Sequence, residues 1–163
     1  MKRLFITFLA AALFIAASSS RSFCQTENIF NTKYTTIHYN DTGDLSDFLW
    51  RLGGTRIDFM RDRELAKSRI DRVVERVEAI LDMHPKDLRI DIYLKRGKLE
   101  FNERAYYENK TGSVYVSVDN VTDGVFAHEI THAIVNKSFS NAASSKVQEI
   151  ISNYVDRYLW SDY

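Results

Sequence analysis

The chain has one cysteine, one proline and six glycines in 163 residues, and its 22 basic side chains are balanced by 22 acidic ones. With Cys24 alone, no disulfide can close within the chain, so stability must come from packing and, where one binds, a metal. One proline, Pro85, and the lack of any repeat or low-complexity tract leave no linker, and one compact unit is expected. The balanced charge gives no sign of the cationic surface that nucleic-acid binding needs. Beyond the first residues no stretch is apolar for long enough to cross a bilayer.

The exception is the start. Met1-Lys2-Arg3 is a basic head, Leu4 to Ala17 is apolar, and Ser18-Ser19-Ser20-Arg21-Ser22 ends the run abruptly. This reads as a secretory signal peptide over residues 1–22, so the product is expected to be secreted or periplasmic, with no membrane span once the signal is gone. A lipid anchor at Cys24 is disfavoured because Phe23, not a small residue, precedes it. Residues 23–163 are enough for one domain with a single core and not for two, and losing Lys2, Arg3 and Arg21 leaves that product mildly acidic. Only about ten residues separate the signal from the first strand, too few for a propeptide. Four sequons, at Asn40, Asn109, Asn120 and Asn136, leave a eukaryotic origin open beside a bacterial one.

Taken in order, Lys33–Tyr39 is rich in strand formers and is followed by the turn-like Asn40-Asp41-Thr42-Gly43. Asp44–Leu52 is expected as a short helix capped by Asp44 or Ser46 and broken by Gly53-Gly54. A longer one is expected from Ile57 to Met83, with Ala66, Ile70, Val73, Val77 and Ile80 on one face, a charged outer face, and Pro85 stopping it. Leu88, Ile90, Ile92 and Leu94 alternate with polar residues, as in a half-buried strand, whereas Lys98–Tyr107 has no clear period. A turn at Asn109–Gly112 precedes a second alternating strand, Val114–Val118. Two helices close the chain. The first is expected to be capped by Asn120 with Asp123, and the second to start at Ser145 with Gln148 three residues on. The second carries an apolar stripe of Val147, Ile150, Ile151, Tyr154, Val155, Tyr158 and Leu159, expected to pack it onto the body. His38 and His84 have no partner at a recognisable spacing and read as surface or packing residues.

The first of these two helices bears Phe126-Ala127-His128-Glu129-Ile130-Thr131-His132-Ala133. Residues four apart on a helix lie one above the other, so the imidazoles of His128 and His132 can reach one metal ion, with Glu129 one step round beside them. Zinc favours imidazole nitrogen, and a carboxylate beside a metal-activated water can take its proton, so this chemistry needs both residue types at this spacing. A catalytic site holds its metal by three protein groups, so a third ligand is required. Glu149, on the last helix, would reach the histidines if the two helices formed an antiparallel pair. Asn153 and Asp156 share its face, and Asp156 is the rival third ligand.

The run from Ala127 to Ala133, preceded by a strand and followed by Glu149-Ile150-Ile151-Ser152-Asn153-Tyr154-Val155, resembles the gluzincin metallopeptidases. The likeness is in particular to the compact members whose second motif reads EGLAEYV. The element order is similar to the upper lobe of a zincin, an α+β fold with a small mixed sheet, a backing helix, an active-site helix and a glutamate helix. The resemblance implies that His128, His132 and Glu149 bind one Zn2+ per chain and that Glu129 is the general base. It also places Asn153 where the family carries an acid that orients the first histidine, and an amide there lacks the charge. Ile150 stands where the family has glycine, and the chain ends too soon after Glu149 to hold the usual lower lobe. Tyr154, Tyr158 and Tyr163 are the remaining candidates to stabilise a transition state.

The expectation is therefore a secreted zinc-dependent peptidase acting on a peptide or protein substrate. The substrate would lie along Ser113–Val118 as an edge strand, and a protein partner is the expected source of any missing part of the cleft. The alternative is a zincin-fold binding protein with weak or no catalytic activity. Retention of Glu129 argues against that alternative, because a purely structural zinc site has no use for a base.

Overall fold

The structure, a computed structural model, describes residues 27–56, 58, 60–100, 103–139 and 143–161. The leader, Cys24, Ile57, Tyr163 and the middle of the 138–144 connection lie outside the described residues. The elements in order are β1 (Asn28–Asn31), β2 (Thr35–Tyr39), α1 (Thr42–Arg51), α2 (Arg63–Leu81), β3 (Ile90–Lys95), β4 (Ala105–Glu108), β5 (Ser113–Ser117), α3 (Asp123–Ser138) and α4 (Ser145–Tyr158). The domain is a small mixed α/β unit.

The strands form one five-stranded sheet in the order β1-β2-β3-β5-β4. β2, β3 and β5 run parallel, while β1 and β4 are antiparallel on the two edges. Register follows the alternation in the sequence: Ile37 lies opposite Ile92 and Ile92 opposite Val114, all three buried. On the other face His38, Tyr93, Tyr115 and Tyr106 stand in one row across four strands. Their rings stack at centroid distances of 4.4, 5.1 and 4.9 Å, so this face is closed by ring against ring. β5, expected at the edge, is interior. The ambiguous stretch before the turn supplies β4, which folds back through a hairpin with Gly112 at φ +72° and takes the edge position.

The core lies between this sheet and the helices. Leu45, Phe48 and Leu49 from α1, Ile70, Val73 and Val77 from α2, and Phe126, Ile130 and Ile134 from α3 are all buried. Phe48 and Phe126 meet edge to face at 5.3 Å, joining α1 to α3. Three of the expected helix starts are corrected. α1 begins earlier because Asp41, in extended backbone, accepts the Gly43 N–H at 2.6 Å. Asp44 instead pairs with Arg96 at 2.7 Å, and Arg96 also holds Asp47 and Asp119. α2 begins at Arg63 and ends before Pro85, at Asp82 in the left-handed region with φ 51°. α3 is capped by Thr122, whose hydroxyl accepts the Val125 N–H at 3.3 Å, while Asn120 belongs to the preceding turn.

α4 departs furthest from expectation. Of its apolar stripe only Val155 and Leu159 are buried, whereas Val147, Ile150, Tyr154 and Tyr158 face outward. The inward face is polar, with Gln148 and Ser152 buried. The Ser152 hydroxyl is fully buried without a hydrogen-bond partner among the described residues. Leaving a buried hydroxyl unpaired costs about 1–3 kcal/mol. Ser152→Ala should therefore stabilise the domain by roughly 1 kcal/mol, read as a higher midpoint in chemical denaturation with an unchanged slope.

Candidate metal centre

α3 is fixed by burial of Phe126, Ala127, Ile130 and Ile134. With that face against the body, its helical period turns His128 and His132 to the opposite side, toward β4 and α4. α4 packs along α3 in the reverse direction: Asp156 near its end lies against Gly124 at the start of α3, and Gln148 near its start meets His132. This antiparallel return brings Glu149 to the histidines. His128 Nε2 is 3.3 Å from Glu149 Oε2, and His132 Nε2 is 3.4 Å from Glu149 Oε1. The three ligand atoms lie within 4.8 Å of one another, a group able to hold a metal ion.

The electrostatics suit ligation. Burial holds the His128 imidazole below its usual range, helped by neighbouring His132, while Glu149 and Asp156 pull the other way. It is therefore neutral, with a lone pair to give, at neutral pH. Glu129 is buried, which pushes its carboxyl up to about 7, with the main-chain N–H of Tyr107 acting in the opposite direction. A carboxyl at that value can accept and return a proton near neutrality.

His132 is oriented by a residue that the sequence reading took for a helix cap. Its Nδ1 lies 3.1 Å from Gln148 Oε1. Gln148 Nε2 donates to Asn136 Oδ1 at 3.2 Å and to the Ala143 carbonyl at 2.8 Å, both acceptors. The amide can therefore only present its oxygen to the ring, so His132 carries its proton on Nδ1 and keeps the Nε2 lone pair facing Glu149. Asn136 is tied in turn to Asn109 at 2.6 Å, so the amides of two sequon asparagines are engaged in this chain. Ser144, not Ser145, sits at the cap position and makes no side-chain cap bond.

Asp156 lines the same cleft but is not among the metal-competent group. It approaches the first turn of α3 where Gly124 leaves room, and a carboxylate is stabilised at a helix N-terminus. Asn153 lies with Ile150, Tyr154 and Arg157 on the outer side of α4, and no hydrogen bond joins it to His128 among the described residues. Tyr154 and Tyr158 are on that outer side too, and neither belongs to the core as expected. The cleft itself is open, about 630 Å³, and lined by Glu103–Tyr107 on the β4 side and by Ser145, Gln148, Glu149 and Asp156 on α4. The sequence reading missed Gln148 and Tyr107. Gln148 carried a signal in being polar directly before the ligand candidate, while Tyr107 lay in a stretch with no readable period.

Comparison with family models, with curated proteins and with solved structures finds no match to this chain.

An acid whose folded pKa is raised contributes its full share of stability below its unfolded value, and that share is lost as pH rises through the folded one. For Glu129 the window runs from 4.5 to about 7. Glu129→Gln should therefore stabilise the metal-free chain above neutrality, by up to about 3 kcal/mol, with the gain vanishing below pH 4.5. Denaturation midpoints of both proteins across pH 4–9 check this.

Proposed function

We propose that the chain is a zinc-dependent peptidase, exported after loss of its leader, binding one zinc through His128, His132 and Glu149. The observation that carries the reading is the spacing of the ligand atoms. Nitrogen and oxygen ligands at about 2.0–2.1 Å on a tetrahedral zinc lie roughly 3.3 Å apart. His128 Nε2 stands 3.3 Å from one Glu149 oxygen and His132 Nε2 3.4 Å from the other, and one ligand atom from each of the three residues falls within 4.8 Å of the rest, a group that a metal ion can draw together. The nitrogen and carboxylate donors match zinc's preferences, and the open cleft beside them leaves a place for water and substrate.

Zinc bound there supplies Lewis-acid polarisation of a peptide carbonyl and eases deprotonation of water within reach of Glu129. The chain's own groups do the rest. The free edge of β4 offers backbone N–H and C=O groups along the cleft, on which an extended peptide can lie as a sixth strand. Glu129 takes a proton from the attacking water at its carboxylate and delivers it to the departing amine nitrogen. Gln148 keeps the His132 ring from turning. The resemblance of the HExxH run and of the downstream glutamate to gluzincins supports this assignment.

One observation favours a second reading, a binding protein of the same fold with slow or no turnover. Tyr154 and Tyr158 face away from the cleft, and Arg104 is the one cationic side chain among the described residues lining it. A partner completing the cleft would then be needed for turnover.

Incubation of a mixed peptide library with zinc and the purified chain, beside Glu129→Gln, separates the two. The peptidase reading expects cleavage by the wild type and a loss of about 100-fold or more in the variant, with one zinc retained by each. Zinc binding by both with cleavage by neither would overturn it in favour of the binding protein. Gln148→Met should weaken zinc binding by about 10–100-fold in chelator competition and also lower the metal-free midpoint, because three buried partners lose their hydrogen bonds.

A further inference from the structure

The outer face of α4 has no use in the site. Val147, Ile150, Tyr154 and Tyr158 follow one another at helical spacing with relative exposures of 45%, 61%, 53% and 40%. An exposed apolar stripe of this length marks a surface that meets something else. Its charges are sorted. Lys146 and Arg157 flank the stripe and form no ion pair among the described residues, while Glu149 and Asp156, the acids of the helix, point into the cleft. Beyond its C-terminal end stand two more cations, Arg76 bonded to the Leu159 carbonyl and Arg72 over the Trp160 ring.

We propose that this face docks on an anionic lipid surface, with α4 lying in the plane of the headgroups. The cationic flanks complement anionic lipid. The stripe lies along a single helix with an open hollow among Ile150, Asn153, Tyr154, Arg157 and Tyr158, relief that a deformable surface can follow. Two tyrosines give it rings with polar tips, suited to the headgroup boundary. A second copy of the chain fits poorly. Three turns of one helix offer on the order of 400 Å² per chain, about half of what a stable interface buries. Antiparallel pairing about a twofold axis would also set Lys146 of one chain against Arg157 of the other.

The test is partition of the full chain, as recovered from the producing cell, into phosphatidylglycerol-rich and into phosphatidylcholine vesicles. Paired variants share whatever the N-terminus contributes, so differences report on α4. The wild type should bind the anionic vesicles about tenfold or more tightly, with the preference falling as salt rises. Ile150→Glu with Tyr154→Glu should lower that binding by about 100-fold, with the circular dichroism spectrum unchanged. Lys146→Gln with Arg157→Gln should remove the preference for anionic lipid and leave the weaker binding to phosphatidylcholine. Backbone amides of α4 should gain protection from hydrogen exchange on the anionic vesicles. Equal partition of wild type and variants, or no change in α4 exchange, would overturn the proposal. So would a lipid-free dimer that the Ile150/Tyr154 variant dissolves, since the face would then be an interface between copies.

Discussion

Glu149 reaches the two histidines because α4 runs back along α3 in the opposite direction, and much of the local structure follows from that return. The helix turns a polar face toward α3 and the cleft, with Gln148 and Ser152 buried and Glu149 and Asp156 at the cleft wall. A helix that spends its inner face this way cannot bury its larger apolar side, and only Val155 and Leu159 are left to anchor it in the core. Polar ties add to these: the Trp160 indole on Asp123, the Arg76 guanidinium on the Leu159 carbonyl, and Asp156 at the head of α3. All three fall at or just beyond the C-terminal end of α4, leaving the Gln148 chain to hold the half that carries Glu149.

The β4–β5 hairpin supplies the opposite wall. Parallel β2, β3 and β5 make a floor whose one face is buried beneath the helices and whose other is covered by the row of stacked rings. Folding β4 back outside β5 then leaves one free edge beside α3, with the Tyr107 N–H directed at Glu129 and the Tyr107 ring 6.2 Å from that of His132. Edge strands are normally a liability that invites pairing with another chain. Here the edge opens onto the cleft, where pairing with an extended peptide would serve the proposed peptidase. The raised pKa of Glu129 has the same origin, because the wall that excludes water also withdraws solvation from the carboxylate.

What was legible in the sequence was whatever short-range period decides. The four-residue spacing of His128 and His132, the alternation through Ile90, Ile92 and Leu94, and the Ala66–Ile70–Val73–Val77 face of α2 each describe a local geometry that the structure contains. β1 escaped notice because it is four residues long with only Phe30 buried. β4 escaped because Tyr106 and Tyr107 put rings on both of its faces, Tyr106 in the stacked row and Tyr107 against the site, which erases the alternation. The misreading of α4 is of another kind. Periodicity shows that a helix has an apolar side without showing which side is inward, and here tertiary packing against α3 set Gln148 and Ser152 inward in place of most of the apolar stripe. Gln148 was misassigned for the same reason: its spacing from Ser145 suited a cap, and a buried imidazole sixteen residues earlier competed for it and won.

The two proposals meet on this helix. In the metal-free chain Glu149 faces two imidazoles, one of them held neutral by burial, and the outer stripe of α4 gains nothing from water. A metal would tie α4 to α3 from within. A lipid surface would hold the same helix from outside, about a third of a turn from Glu149. Both would bind the docked position of α4 better than any displaced one, so each would favour the arrangement that the other needs. Coupling of that kind requires no long path through the molecule, since the ligand carboxylate of Glu149 and the exposed side chain of Ile150 are neighbours in sequence on one rigid element.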